Sequence, residues 1–133
     1  MHRVTRELHF CYGHRLLNYS GKCRHLHGHN GIAIIALESE TLDPLGMVMD
    51  FSKIKKVMQS WIDTTLDHKM ILHRDDPILP AFRQLGEPYF LMDVNPTAEN
   101  LAKLIFLHAR MQGFPVVEVS LWETPSSFAT FRE

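Results

Sequence analysis

Apolar and polar residues alternate through residues 4–12, which predicts a strand carrying Leu8, Phe10 and Tyr12 on one face. The pattern lapses through residues 15–24, where Asn18, Ser20 and Gly21 mark a loop, and resumes as a second strand over about residues 29–38. Asp43-Pro44-Leu45-Gly46 is a turn sequence, followed by a short extended piece at residues 47–49. The period then changes. Ile54, Val57, Met58, Trp61, Ile62 and Leu66 recur at three- and four-residue steps behind a cap at Asp50 or Ser52, so a helix runs to Leu66-Asp67-His68. Residues 69–96 hold Pro77, Pro80, Gly86, Pro88 and Pro96, and read as an irregular connection with one short strand at residues 89–92. Thr97 caps a second helix with Leu101, Leu104, Ile105 and His108 inward, stopped by Gly113 and Pro115. Two strands, residues 116–123 and 128–132, close the chain around Thr124-Pro125-Ser126-Ser127.

The order is two strands, helix, connection, helix, two strands. Adjacent strands at each end predict an antiparallel sheet with the helices on one face, an α+β fold in a single domain over residues 1–133. Four strands leave unpaired edges, which invite pairing with further copies of the chain.

A formal net charge of −1, with no Lys/Arg run, points away from nucleic acid and anionic membranes. Residues 1–7 have no apolar leader-like core and no stretch is long enough to span a bilayer, so a cytoplasmic protein is expected. Two cysteines in a reducing compartment are expected to stay free. Cys11, in a strand-like run, reads as a small half-buried residue. Cys23, between Lys22 and Arg24, reads as the reactive thiol.

The densest chemistry lies in Cys23-Arg24-His25-Leu26-His27-Gly28-His29. His27 and His29 project to the same side of an extended segment, and Gly28 lets the backbone pass close to whatever they hold. Among 9 histidines a His-x-His pair arises by chance about as often as not, so the pair alone is weak. Its company strengthens it. His14 is the best third donor, and three imidazoles with one open position suit a catalytic Zn²⁺. Asp67-His68 by itself is most simply a helix-terminal His, Glu123 an outward strand residue, and Glu99 a first-turn acid favoured by the helix dipole.

Taken in order, Gly13-His14-Arg15-Leu16, Cys23-x-x-x-His27-Gly28-His29, Leu66-Asp67-His68, Asn95-Pro96-Thr97-Ala98-Glu99-Asn100 and Trp122-Glu123-Thr124 resemble the 6-pyruvoyl-tetrahydropterin synthase family. That family includes the 6-carboxy-tetrahydropterin synthases of 7-deazaguanine (queuosine) biosynthesis, and the resemblance covers nearly the whole chain. It implies the tunnelling fold, a ββααββ protomer whose sheets join in a trimeric barrel, with two trimers stacked as a homo-hexamer. It implies Zn²⁺ on His14, His27 and His29, and Cys23 as the proton-transfer thiol. Asp67 and His68 would complete that constellation from a neighbouring subunit. Glu123 would anchor the pterin ring, with Thr97 and Glu99 nearby; since Glu99 reads equally as a first-turn acid, it is left out of the catalytic core.

The implied activity is a zinc-dependent lyase converting 7,8-dihydroneopterin triphosphate to 6-carboxy-5,6,7,8-tetrahydropterin. The alternative is triphosphate elimination to 6-pyruvoyl-tetrahydropterin, which uses the same residues; a non-catalytic zinc- or pterin-binding protein ranks below both. Two features depart from the family pattern: the pair Tyr12-Gly13 before His14, and the length of residues 69–94.

Overall fold

The computed structural model describes all residues, 1–133. Its elements are β1 (His2–His14), β2 (His27–Ser39), α1 (Phe51–Thr65), β3 (Lys69–His73), α2 (Leu79–Leu85), β4 (Tyr89–Met92), α3 (Ala98–Met111), β5 (Val116–Thr124) and β6 (Ser127–Arg132). They build one six-stranded sheet in the order β4-β3-β1-β2-β5-β6. The α+β expectation holds, with a correction: the sheet is mixed, because β3 runs parallel to both β1 and β4.

β3 and α2 lie in the segment expected to be irregular. The run Lys69-Met70-Ile71-Leu72-His73 is too short to show a period, yet it buries Ile71 and Leu72 once aligned beside β1. Residues 47–49, expected to be extended, form no strand. Asp43 instead gathers the amides of Leu45 and Met47 on its carboxylate, each at 2.9 Å, and closes a turn.

Both long helices follow from their caps. Asp50 accepts the Ser52 amide at 2.7 Å and Thr97 accepts the Asn100 amide at 3.1 Å, each satisfying a donor that a helix start leaves free. α1 buries Ile54, Met58 and Ile62, while α3 buries Leu101, Ala102, Ile105, Phe106 and Ala109. All of them join one core with Leu8, Phe10 and Tyr12 of β1, Ala33, Ile35 and Leu37 of β2, and Val119 and Leu121 of β5. Trp61 and His108 stack at 4.1 Å and link the two helices.

The long β1–β2 ladder sets two opposite faces. Leu8 pairs with Ala33, Phe10 with Gly31, Tyr12 with His29 and His14 with His27, so these residues share the helix-covered face. The intervening residues, Cys11 and Gly13 among them, point to the other side. Gly13 lies against the end of the Met70 side chain there, and a Cβ, 2.6 Å from the Met70 methyl carbon, would push that flexible end aside.

Candidate functional site

β1 and β2 bring His14, His27 and His29 together at the end of the ladder. The facing rings of His14 and His27 have centroids 4.5 Å apart, and His29 lies 5.0 and 5.1 Å from the two. The Nε2 atoms of His14 and His29 stand 3.1 Å apart. Backbone carbonyls fix two of the rings: Nδ1 of His14 donates to the Pro96 carbonyl at 2.6 Å, and Nδ1 of His27 to the His25 carbonyl at 2.7 Å. Each bond holds a proton on Nδ1 and leaves Nε2 bare, the arrangement that outer partners impose on metal-binding histidines. The cluster can bind a metal ion: three imidazole donors lie within 4.8 Å of one another, one buried and two half-buried.

Burial holds the His14 imidazole below its ordinary value, and the charges of His27 and His29 act the same way against Pro96 and Glu123. A neutral ring is the form that donates a lone pair.

Glu123 sits beside two of the rings. Its carboxylate oxygens lie 3.7 Å from His14 Nε2 and 3.8 Å from His29 Nε2, and the Tyr12 hydroxyl donates to Oε1 at 3.4 Å. Glu123 is not part of the compact donor set, which holds the three histidines alone. Tyr12 is pushed well above its ordinary range by burial first and by the Glu123 charge second, so it stays a hydroxyl donor.

The Asn95–Asn100 segment supports this site mostly through its backbone. Asn95 grips Leu17, accepting its amide at 2.9 Å and donating to its carbonyl at 3.0 Å; Asn100 donates to the Asn95 carbonyl at 2.9 Å. Pro96 is thereby held under His14. Thr97 spends its side-chain oxygen capping α3, and Glu99 is exposed in the first turn.

Asp67 and His68 follow α1 and form a second cluster with Cys11, separate from the three histidines. Asp67 accepts the Cys11 amide through Oδ1 at 2.9 Å and the His68 Nδ1 proton through Oδ2 at 2.7 Å. Burial acts to raise the Asp67 carboxyl, but the Cys11 amide and His68 together hold it below its ordinary value. His68 adopts a left-handed backbone, φ 57°, uncommon outside glycine, and its amide bonds the Cys11 carbonyl at 2.8 Å.

The two thiols sit apart. Cys23, in the short 3-10 turn Lys22–Arg24, joins neither side-chain cluster, whereas Cys11 stands against Asp67 and His68 in the same chain. Reading the residues in order brought out His14, His27, His29, Asp67, His68 and Glu123. It missed Tyr12, Asn95 and the Pro96 carbonyl, although Tyr12 shares the i, i+2 face of His14 and so carried a signal.

Residues 3–133 match the family model described as 6-pyruvoyl tetrahydropterin synthase. A 6-carboxy-5,6,7,8-tetrahydropterin synthase of Rickettsia felis is 38% identical over 139 residues, covering 96% of this chain and 98% of that one. Among solved structures, an uncharacterised protein of Wolinella succinogenes superposes with a TM-score of 0.83 at 29% identity, covering 99% of this chain and 98% of the other. The 6-pyruvoyl tetrahydropterin synthase of Caenorhabditis elegans superposes with a TM-score of 0.70 at 28% identity, covering 98% and 94%.

Proposed function

Because the chain belongs to the 6-pyruvoyl tetrahydropterin synthase family, we propose that it is a zinc-dependent lyase converting 7,8-dihydroneopterin triphosphate to 6-carboxy-5,6,7,8-tetrahydropterin, a step toward 7-deazaguanine nucleosides. The observation that carries this reading is the convergence of His14, His27 and His29 beside Glu123, within a chain aligned almost end to end with the Rickettsia felis enzyme. The name of the Caenorhabditis elegans relative supports the alternative product, 6-pyruvoyl-tetrahydropterin.

His14, His27 and His29 would hold the zinc through Nε2. The chemistry it supplies when bound is Lewis acidity at the substrate's side-chain oxygens, which acidifies the adjoining C–H bonds. Glu123 accepts two N–H donors from the amino-pyrimidinone edge, and its closeness to two of the histidines sets the ring beside the side chain that reacts. Tyr12 holds that carboxylate in place by donating its hydroxyl. Thr97 lines the ring site from the cap of α3. Cys23 and His68 are the groups that move protons, and Asp67 orients the His68 imidazole.

This division of labour asks for more than one chain. Within one chain His14-His27-His29 and Cys11-Asp67-His68 are separate clusters and Cys23 joins neither, which suits the family pattern in which the triad and Cys23 of one protomer meet the dyad of another. A homo-hexamer of two stacked trimers satisfies that requirement, and unpaired sheet edges at β4 and β6 suit assembly. Two free thiols suit a reducing cytoplasm.

The test is direct. Purified protein with zinc should consume 7,8-dihydroneopterin triphosphate, and product mass separates the carboxy from the pyruvoyl product. Absence of turnover in a zinc-loaded assembly would defeat the proposal.

A further inference from the structure

Asn95 joins two stretches of backbone that meet at His14. Its side-chain oxygen accepts the Leu17 amide at 2.9 Å and its side-chain nitrogen donates to the Leu17 carbonyl at 3.0 Å, so one planar amide answers both backbone groups of a single residue. The neighbouring Leu16 amide donates to the Cys23 carbonyl at 2.9 Å. The base of the loop that leaves His14 and carries Cys23 is therefore fastened to residue 95. Aspartate has the same shape but would set a carboxylate oxygen against the Leu17 carbonyl, and an apolar side chain would leave both Leu17 groups without this partner.

On its other side Asn95 shapes the turn beneath the His14 ring. The Thr97 amide donates to the Asn95 carbonyl at 2.8 Å, closing a three-residue turn with Pro96 at its centre, and Asn100 Nδ2 donates to the same oxygen at 2.9 Å. The pyrrolidine ring locks φ of Pro96, so the direction of its carbonyl follows from how Asn95 and Thr97 are held. That carbonyl accepts His14 Nδ1–H at 2.6 Å. His27 has a separate support, the His25 carbonyl at 2.7 Å, which Asn95 does not touch.

We propose that Asn95 is a positioning residue of the histidine site: by clamping Leu17 it keeps the Pro96 carbonyl on His14 Nδ1, and so keeps His14 Nε2 bare and aimed at His29. Loss of the outer partner of a metal-binding histidine lowers metal affinity about 10–100-fold. Asn95 acts one bond further out, through Pro96, so the lower end of that range is expected. The consequence for metal affinity rests on the zinc reading above; the clamp itself does not.

Three variants of the whole protein test it. Asn95→Ala removes both bonds to Leu17, Asn100→Ala removes one support of the turn, and Asp50→Ala removes the cap of α1 and reports what lost stability alone does. Zn²⁺ affinity is measured by competition with a chelator, well below each melting temperature. Ring-nitrogen NMR shifts of His14 and His27 are recorded on metal-free protein, at a pH where the imidazoles are neutral. Asn95→Ala should weaken Zn²⁺ binding about tenfold and move the His14 shifts toward mixed tautomers, with His27 unmoved. Asn100→Ala should do both more weakly, since the Thr97 amide still serves the Asn95 carbonyl. Asp50→Ala should match wild type in both. The proposal is overturned if Asn95→Ala binds Zn²⁺ as wild type does, if Asp50→Ala loses as much, or if the His14 and His27 shifts move alike. Should Asn95→Ala fail to fold, Asn100→Ala decides, and unmoved His14 shifts there overturn the proposal. Should wild type take up no Zn²⁺, the function proposed above fails, while the shifts of metal-free protein still decide the clamp.

Discussion

Replacing Asp76 with alanine should destabilise the protein more than any change at an exposed carboxylate. The Asp76 side chain is fully buried, accepts from Arg15 Nε at 2.8 Å and from Arg15 Nη2, and takes the Ile78 amide at 2.9 Å. It ties the connection between β3 and α2 to the residue next to His14. Removing one partner of a buried pair costs about 3–5 kcal/mol, because the other charge is left without compensation. Arg15 is still 22% exposed, and water reaching the guanidinium brings the expected loss to about 3 kcal/mol. At about 2.1 cal/mol/K per residue, unfolding entropy for 133 residues is about 0.28 kcal/mol/K, so Tm should fall by about 10 °C. Asp76→Asn keeps one acceptor oxygen and should lose roughly half of that. In the double variant Arg15→Met/Asp76→Ala no stranded charge remains, and the loss should be smaller than the sum of the single losses. Thermal melts at fixed protein and zinc concentration measure wild type, Arg15→Met and the three Asp76 variants. An Asp76→Ala melt within 2 °C of wild type (against the ~10 °C worked out from), or strict additivity with Arg15→Met, would refute the reasoning.

Three further outcomes are expected. His14→Ala, His27→Ala and His29→Ala should each lower bound zinc measured by plasma emission, and full zinc content in any one of them removes that residue from the donor set. His68→Ala should lower kcat about 10²–10⁴-fold with little change in KM, Asp67→Asn should act the same way without adding to it, and Glu123→Gln should weaken pterin affinity by calorimetry; the opposite split reverses the roles. Acid should destabilise the fold below about pH 4: Asp76 and Asp67 are held below the ordinary carboxylate value, so the unfolded chain binds the extra protons and the stability they contribute is lost as pH falls through their folded values. Melting temperature against pH should show a shallower acid limb in Asp76→Asn than in wild type.

Most elements were readable from residues alone, including the four-residue β4 and the closing strands β5 and β6. β1, β2 and the helices α1 and α3 declared themselves through alternation or three- and four-residue spacing, with Asp50 and Thr97 as caps. β3 did not, since five residues between a helix end and a proline-rich stretch show no period, and its pairing partner is far away in the chain. His27 and His29 stood out by spacing, but the carbonyls of Pro96 and His25 that set the tautomers of His14 and His27 are backbone atoms with no side-chain signature. The position of Cys11 was available in principle. Alternation from Leu8 through Phe10 and Tyr12 assigns Cys11 to the outward face, but only the three-dimensional turn after α1 brings His68 over it.

The pairing of His14 with His27 as the last rung of the β1–β2 ladder has a further consequence. Residues 15–26 leave the sheet and return to it through that rung, so a metal gripped by both rings is a clasp at the neck of the loop. Like a cross-link, it removes closure entropy from the loop's open states, at a point where the ladder would otherwise fray. Loop protection and metal occupancy become one variable. A protease that cuts after Lys22 or Arg24 would then act as a gauge of free zinc, nicking the chain when the clasp is open and sparing it when it is shut.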